Sequence, residues 1–192
     1  MSLDFLLDLP EFRTLVEKLK KGEDCLHLSG LIPEARAYFY ALLAGQINRP
    51  LVIVEPQAWA LEEIKQEIEN LLGFFSIKRQ VESLPALSAD PYLEVPVPLD
   101  MVASRLKVLY GLNQGHQPLI LTNLPGLLKK VPRPEDLTRS VVRINRGQSL
   151  DRDLLLQQLA DYGYTQEDLV SSAGEYAFRG GIVDIYSVWS KN

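Results

Sequence analysis

Apolar residues recur along the chain at two spacings, and the alternation of these spacings predicts an α/β fold. Residues 10–21 place Phe12, Leu15, Val16 and Leu19 at helical intervals between Pro10 and Gly22. Short apolar runs, typical of strands buried in a parallel sheet, occur at CLHL (25–28), LVIV (51–54) and PLILTN (118–123), and QVESLPAL (80–87) predicts a further short strand. Helical patterns separate these runs. We therefore predict an open parallel sheet with right-handed crossovers over roughly residues 23–130.

The pattern changes after residue 135, and this change predicts a second domain of α+β type. SVVRINRG (140–147) alternates like a strand, and a helix follows with Ser149 as its expected N-cap. GEYAFRGGIVDIYS (174–187) predicts two strands broken at Gly180 and Gly181. We predict domains at 1–135 and 136–192. The second domain ends directly after a strand, so we expect it to be incomplete and the chain to be a fragment.

Composition places the chain among ordinary globular proteins, with 46% hydrophobic and 23% charged residues. No apolar run approaches the roughly 20 residues of a membrane span, and the acidic N-terminus does not resemble a signal peptide. The single cysteine, Cys25, excludes an internal disulfide, and its place in a predicted strand favours a buried, inert thiol. His27 is expected to be packed in that strand and His116 to be solvated. These features favour a cytoplasmic monomer without metal.

Charge is unevenly distributed along the chain. The formal net charge is −5, which argues against bulk non-specific binding of nucleic acid. Between Arg105 and Arg152, however, nine Lys/Arg stand against three acidic residues. This basic region could contact an acidic protein or nucleic acid, or it could be a solvated surface.

The stretch LHLSGLIPEARAYFYALL (26–43) has the outline of a phosphate-binding loop but lacks its chemistry. Gly30 stands at the first glycine position, and Arg36 and Ala37 replace the lysine and the hydroxyl residue. Pro33 removes a backbone donor, and the carboxylate of Glu34 would repel a triphosphate. Thr122 and Asn123 follow a strand where a magnesium-binding carboxylate is expected. We predict a degenerate nucleotide loop without a cofactor or catalytic residues. A plain strand–turn–helix remains the alternative.

Two long motifs resemble those of the bacterial transcription-repair coupling factor (Mfd) family. The first is LPALSADPYLEVPVPLDMVASRLKVLYGL (84–112). The second, NRGQSLDRDLLLQQLADYGYTQEDLVSSAGEYAFRGGIVDIYS (145–187), contains the family pattern G-E-Y-x-x-R-G-G-I-x-D-I-[FY]. The resemblance extends from about Leu15 to Tyr186. A weaker kinship with the excision-repair protein UvrB rests on a similar G-x-[FY]-x-x-R-G block.

The resemblance implies a UvrB-like, N-terminal module: a degenerate helicase-like domain followed by a domain that binds the repair protein UvrA. Arg179 matches the arginine expected to contact UvrA, with Phe178 beside it and Tyr186 closing the motif. Some relatives carry an arginine where this chain has Thr165, which could weaken binding. The motor, with its ATP, double-stranded DNA and RNA polymerase partners, would lie beyond residue 192.

Three functions are therefore open on the sequence alone. The first is a non-catalytic recruitment module that binds UvrA. The second is a nucleic-acid-binding module, supported by the basic region but opposed by the absence of interleaved aromatic residues. The third is an active nucleotide enzyme, in which Arg36 and Ala37 would have to replace lysine and serine.

Overall fold

The structure is a computed structural model and describes residues 5–23, 25–87 and 97–189. The α-helices in these ranges are α1 (Phe5–Asp8), α2 (Pro10–Lys21), α3 (Arg36–Gln46), α4 (Ala60–Phe74), α5 (Leu99–Asn113), α6 (Leu124–Leu128), α7 (Pro134–Arg139) and α8 (Arg152–Asp161). The strands are β1 (Leu51–Val54), β2 (Val81–Leu84), β3 (Leu119–Thr122), β4 (Thr165–Gln166), β5 (Glu175–Arg179) and β6 (Ile182–Ile185). No helix in the described ranges is long and apolar enough to cross a membrane.

A parallel sheet forms the centre of the first unit. Within the described residues its strand order is β1-β3-β2, with Leu119 of β3 in register with Leu51 of β1 and Val81 of β2. All four residues of β3 are buried, because the strand has a neighbour on each edge and helices on both faces. The prediction of an α/β fold with a parallel sheet is therefore confirmed.

Helices cover the two faces of this sheet unequally. On one face, small residues of α3 (Ala37, Ala41 and Ala44) lie in one core cluster with Ile64 and Ile68 of α4. On the other face, Val108 of α5 packs with Leu84 and Ile120. The N-terminal α2 adds to the α3 side through an edge-to-face contact of Phe12 with Phe39, whose ring centroids are 5.8 Å apart.

A mixed sheet forms the second unit. In the described part of the chain its order is β4-β5-β6, with β4 parallel to β5 and β5 antiparallel to β6. Gly180, with φ of 59°, begins the tight turn between β5 and β6, so the predicted strand break is confirmed. Leu155 and Leu159 of α8 pack on Tyr176 of β5. The N-cap of α8 is Asp151 rather than Ser149, because its carboxylate accepts from the N–H groups of Asp153 and Leu154.

Two predicted strands are wrong. Residues 25–28 have no strand structure, and both Cys25 and His27 are exposed rather than packed. Residues 140–147 are also without strand structure, although they alternate in polarity. Strand formation requires a pairing partner as well as a suitable pattern, and neither segment has ladder bonds to a described strand.

The predicted burial of β1 and α4 also needs correction. The apolar run of β1 suggested full burial, but Val52 is 51% exposed and Val54 is 45% exposed, because α5 covers β2 and β3 and leaves that face of β1 open. The helical spacing of Trp59, Ile64, Ile68 and Leu71 predicts an apolar stripe on α4, but Trp59 precedes the helix and is 73% exposed. The proline-rich stretch before α5 predicts a loop, and its residues 88–96 lie outside the described residues.

The two units contact each other along α5. Asn113 Nδ2 donates to Thr138 Oγ1 of α7 at 2.9 Å, and the ring of Tyr110 lies 5.5 Å from that of Trp189. Because α7 spans residue 135 and packs on α5, the boundary at 135/136 stays a prediction.

Candidate functional site

The loop at residues 30–37 is a short turn that connects to the start of α3. Gly30 has a left-handed φ of 81°, and Pro33–Ala35 form a single 3-10 turn that leads directly into α3. Pro33 is the first residue of that turn, where its missing N–H is not needed. Glu34, the next residue of the turn, is exposed.

The positive charge of Arg36 is already paired within the chain. Its Nη1 lies 2.7 Å from Oε2 of Glu55, which directly follows β1 and is 3% exposed. The Tyr40 hydroxyl donates to the other carboxylate oxygen at 3.4 Å, and burial, followed by the charge of Glu55, raises the pKa of Tyr40. The carboxylate of Glu55 thus lies beside Arg36, the residue that stands at the lysine position of the phosphate-loop pattern.

The polar residues after β3 are likewise engaged internally. The buried Thr122 hydroxyl donates to the carbonyl oxygen of Leu84 at 2.7 Å, and the Asn123 side chain accepts from the N–H of Gly126 at 3.0 Å. Buried Arg105 donates to the carbonyl oxygens of Pro85, at 2.7 Å, and Gly126, at 2.9 Å. Open α/β sheets bind ligands at this edge. Here most of these polar groups are hydrogen-bonded within the chain, whereas the buried Nη2 of Arg105 has no hydrogen-bond partner among the described residues.

The sequence interpretation missed Glu55 and Arg105 as organising residues. The available signal was positional: Glu55 is an acidic residue directly after a strand, and Arg105 lies among apolar residues of a helix. In the part of the chain that the structure describes, no group of His, Cys, Asp and Glu could hold a metal ion.

In the second unit, the β5–β6 hairpin separates the three predicted contact residues onto two faces. Arg179 pairs with Ile182 and Ala177 with Asp184, so these residues share one face. Tyr186 continues that face, because its N–H donates to the carbonyl of Glu175 one step further along the register. Phe178 pairs with Val183 on the opposite face. Arg179 and Tyr186 thus lie on one face but at opposite ends of the hairpin, and Phe178 lies on the other face.

Arg179 is oriented by a neutral acceptor. Its Nη2 donates to the carbonyl oxygen of Asp168 at 2.6 Å, and its guanidinium makes no ion pair with any described residue. Glu175 holds the same loop, because its carboxylate accepts from the N–H groups of Ser171 at 2.7 Å and Ser172 at 2.8 Å. These backbone bonds, that of Ser171 first, lower the pKa of Glu175.

Around the tip of the hairpin, Arg152 and Ile182 are exposed in addition to the predicted contact residues Arg179 and Phe178. Arg152 of α8 donates to the carbonyl oxygen of Gly180 at 3.2 Å and pairs with Asp153. Ile182 at the tip is 65% exposed, and Phe178 is 41% exposed. An exposed arginine beside apolar side chains is a composition typical of protein interfaces.

Comparison with known protein families finds a match in the C-terminal part of the chain. Residues 142–192 match the model of the UvrB interaction domain. This part of the chain is therefore similar to a UvrB interaction domain. The matched range includes α8, the three strands of the mixed sheet and the Arg179 face of the hairpin.

Relatives in two protein groups resemble nearly the whole chain. It is 27% identical to the transcription-repair-coupling factor of Bacillus subtilis over 98% of this chain and 16% of the relative. Identity to the Myxococcus xanthus protein of that name is 30%, over 92% of this chain and 15% of the relative. The UvrABC system protein B of Pseudomonas syringae is 26% identical, over 93% of this chain and 28% of the relative.

These comparisons confirm the resemblance predicted from the sequence motifs. The chain spans about one-sixth of the length of the transcription-repair-coupling factors and just over one-quarter of that of the UvrABC system protein B. It therefore corresponds to a UvrB-like region of much longer proteins.

Proposed function

We propose that this chain is a non-catalytic recruitment module of a transcription-repair coupling protein, and that its partner is UvrA. The observation that carries the proposal is Arg179, which lies exposed on the hairpin of the UvrB interaction domain without an ionic partner among the described residues. The similarity to transcription-repair-coupling factors over nearly the whole chain supports the same assignment.

The chemistry of this face suits a protein partner. A guanidinium can form two parallel hydrogen bonds with a carboxylate, and arginines and aromatic residues dominate the energetics of many interfaces. Arg179 supplies the first element and Tyr186, on the same face, the second. The carbonyl of Asp168 holds the guanidinium before a partner arrives, which reduces the entropy lost on binding. Phe178 lies on the opposite face of the hairpin, so it would contact the same partner only if that partner also covered the β5–β6 turn.

The degenerate character of the nucleotide loop forms part of the proposal. Arg36 is engaged by Glu55, Pro33 begins a 3-10 turn, and Ala37 has no hydroxyl for a metal ion. We expect no binding of a fluorescent ATP analogue to this chain at micromolar concentrations. Saturable binding that Arg36→Ala abolishes would instead favour the nucleotide-enzyme alternative.

The proposed activity belongs to a larger assembly. In that view, the module brings UvrA to RNA polymerase stalled on double-stranded DNA, and the contacts with polymerase and DNA are made by other parts of the full-length protein. The setting is the bacterial cytoplasm, and the chain by itself is monomeric.

The test is a calorimetric titration of UvrA with the 192-residue chain and with its Arg179→Ala variant. Loss of a charged anchor should weaken binding by roughly 2 kcal/mol, about thirtyfold in Kd. Arg13→Ala is the matched control, because Arg13 is an exposed arginine on α2 that pairs with Asp8. Circular dichroism should show that both variants are folded. Equal affinity of both variants and the parent chain would contradict a contact through Arg179.

A further inference from the structure

Residues 129–146, here called the basic segment, differ in charge from the rest of the molecule. The segment contains two acidic residues, Glu135 and Asp136, against six cationic ones, which gives it a net charge of +4 in a chain of net charge −5. The cationic residues are Lys129, Lys130, Arg133, Arg139, Arg143 and Arg146. Six of the nine Lys/Arg of the basic region noted in the sequence thus lie in a short stretch between the two units.

The cationic side chains of the basic segment are available for binding. All six residues are exposed, and none forms an ion pair with a residue in the described ranges. Arg143 donates to the neutral hydroxyl of Tyr110 at 3.2 Å, which leaves its charge uncompensated. The two acidic residues lie in the first turn of α7, where the helix dipole favours negative charge.

The middle of the basic segment is fixed to the protein. Leu137 is buried, Thr138 accepts a hydrogen bond from Asn113 of α5, and the Tyr162 hydroxyl donates to the carbonyl of Arg139 at 3.1 Å. The segment therefore presents its charge from a defined position between α5 and α8, so a ligand would not have to order a free tail.

From these observations we infer that the basic segment is a binding surface for the phosphate backbone of a nucleic acid. The six cations are spread over 18 residues of sequence: three precede α7, Arg139 is its last residue, and two follow it. A nucleic acid carries a continuous line of negative charge that such a row can follow, whereas a carboxylate cluster on a protein is local. The rest of the chain has a net negative charge, which makes this segment the favourable place of approach for a polyanion.

An acidic protein is the competing ligand. Leu128, Val131 and Ile144 are exposed among the cations, and apolar side chains of this kind would add to a protein interface. They would add little to phosphate contacts, so the two ligands can be distinguished by experiment. The inference is independent of the proposed UvrA contact, because it uses none of the hairpin residues.

The experiment measures fluorescence anisotropy of a labelled 20-base-pair DNA duplex with the 192-residue chain between 25 and 200 mM NaCl. Four or more phosphate contacts should make the association constant fall by about tenfold for each doubling of salt. The triple variant Lys129→Glu, Lys130→Glu, Arg133→Glu should bind at least tenfold more weakly at the lowest salt. Its control reverses three exposed lysines elsewhere, Lys20, Lys21 and Lys78, and should lose less than about threefold.

Three results would overturn the inference. One is the absence of salt-dependent duplex binding by the parent chain at 25 mM NaCl. Another is an equal loss of binding in the triple variant and its control, since that would reflect net charge alone. The last is tighter binding of poly-glutamate than of duplex DNA at matched charge, which would identify an acidic polypeptide as the ligand. None of these results would affect the calorimetric test of UvrA binding.

Discussion

Arg36 and Arg179 both follow sequence patterns associated with binding, yet their surroundings differ. Arg36 is held 2.7 Å from the buried carboxylate of Glu55, so its charge stabilises the end of the parallel sheet. Arg179 is held by one carbonyl oxygen on an exposed hairpin. The comparison teaches that an arginine in a motif is informative about function only when its counter-charge is known. In this chain the arginine of the first unit has an ionic partner, and that of the second has none among the described residues.

The same contrast holds for packing around the two regions. At the carboxyl edge of the parallel sheet, a Cβ atom added to Gly126 would lie 2.3 Å from Thr122 Oγ1 and 2.9 Å from the carbonyl oxygen of Leu84. At the tip of the hairpin, a Cβ atom added to Gly181 would meet nothing within 4 Å. The closed edge is sterically determined, whereas the hairpin tip has room for a partner.

The largest expected effect is a loss of stability when the tightly packed Gly126 is substituted. Gly126→Ala should lower the free energy of unfolding by about 3 kcal/mol, because the neighbouring backbone has to move. Gly181→Ala is the matched control and should change it by less than about 0.5 kcal/mol. Urea denaturation followed by circular dichroism measures both. Similar losses in the two variants would contradict the view that only the sheet edge is closed.

A smaller effect is expected at the ion pair of the first unit. Glu55→Gln should lower the free energy of unfolding by roughly 2 kcal/mol, because it removes the charge that compensates Arg36; partial exposure of the arginine reduces the effect. Glu62→Gln removes an exposed partner of Lys65 and should have almost no effect. Urea denaturation of both variants is the measurement. If the Glu55 variant were as stable as the parent chain, the ion pair would not organise this edge.

The smallest effect concerns the loop that holds Arg179. Because the folded-state pKa of Glu175 lies below its ordinary value of 4.5, its carboxylate stabilises the loop above that pH. The stabilisation is lost as the pH falls through the folded-state pKa. We expect amide exchange of Ser171 and Ser172 to quicken at acid pH in the parent chain, relative to the intrinsic rate. In Glu175→Gln this pH dependence should be absent. Its persistence in the variant would assign the effect to another group.

Local patterns predicted those parts of the fold that local residues determine. The apolar run of β3 and the glycine pair between β5 and β6 were sufficient to place a buried strand and a hairpin. Side chains alternate between the two faces of a strand, so the sequence also contained the signal that separates Phe178 from Arg179. The loss of a nucleotide site at residues 30–37 stays a prediction.

Other features depend on residues that are distant along the chain, and the sequence could not reveal them. Arg36 and Glu55 are 19 residues apart, and nothing in either local pattern indicates their contact. The segments at 25–28 and 140–147 have strand-like patterns, but pairing requires a partner edge, which local pattern does not specify. The domain boundary is similarly undetermined, because α7 spans the expected boundary yet packs on the preceding helix α5.

The order of strands in the parallel sheet has a consequence for synthesis of the protein. Strands β1 and β2 do not pair with each other, because the central strand β3 lies between them. Each of them can pair only after β3 has been synthesised. About 65 residues separate β1 from β3, so at roughly 5–20 residues per second a nascent chain holds β1 unpaired for several seconds. During that interval its four apolar residues have no ladder partner. The first unit is therefore most exposed to aggregation and chaperone binding before β3 leaves the ribosome.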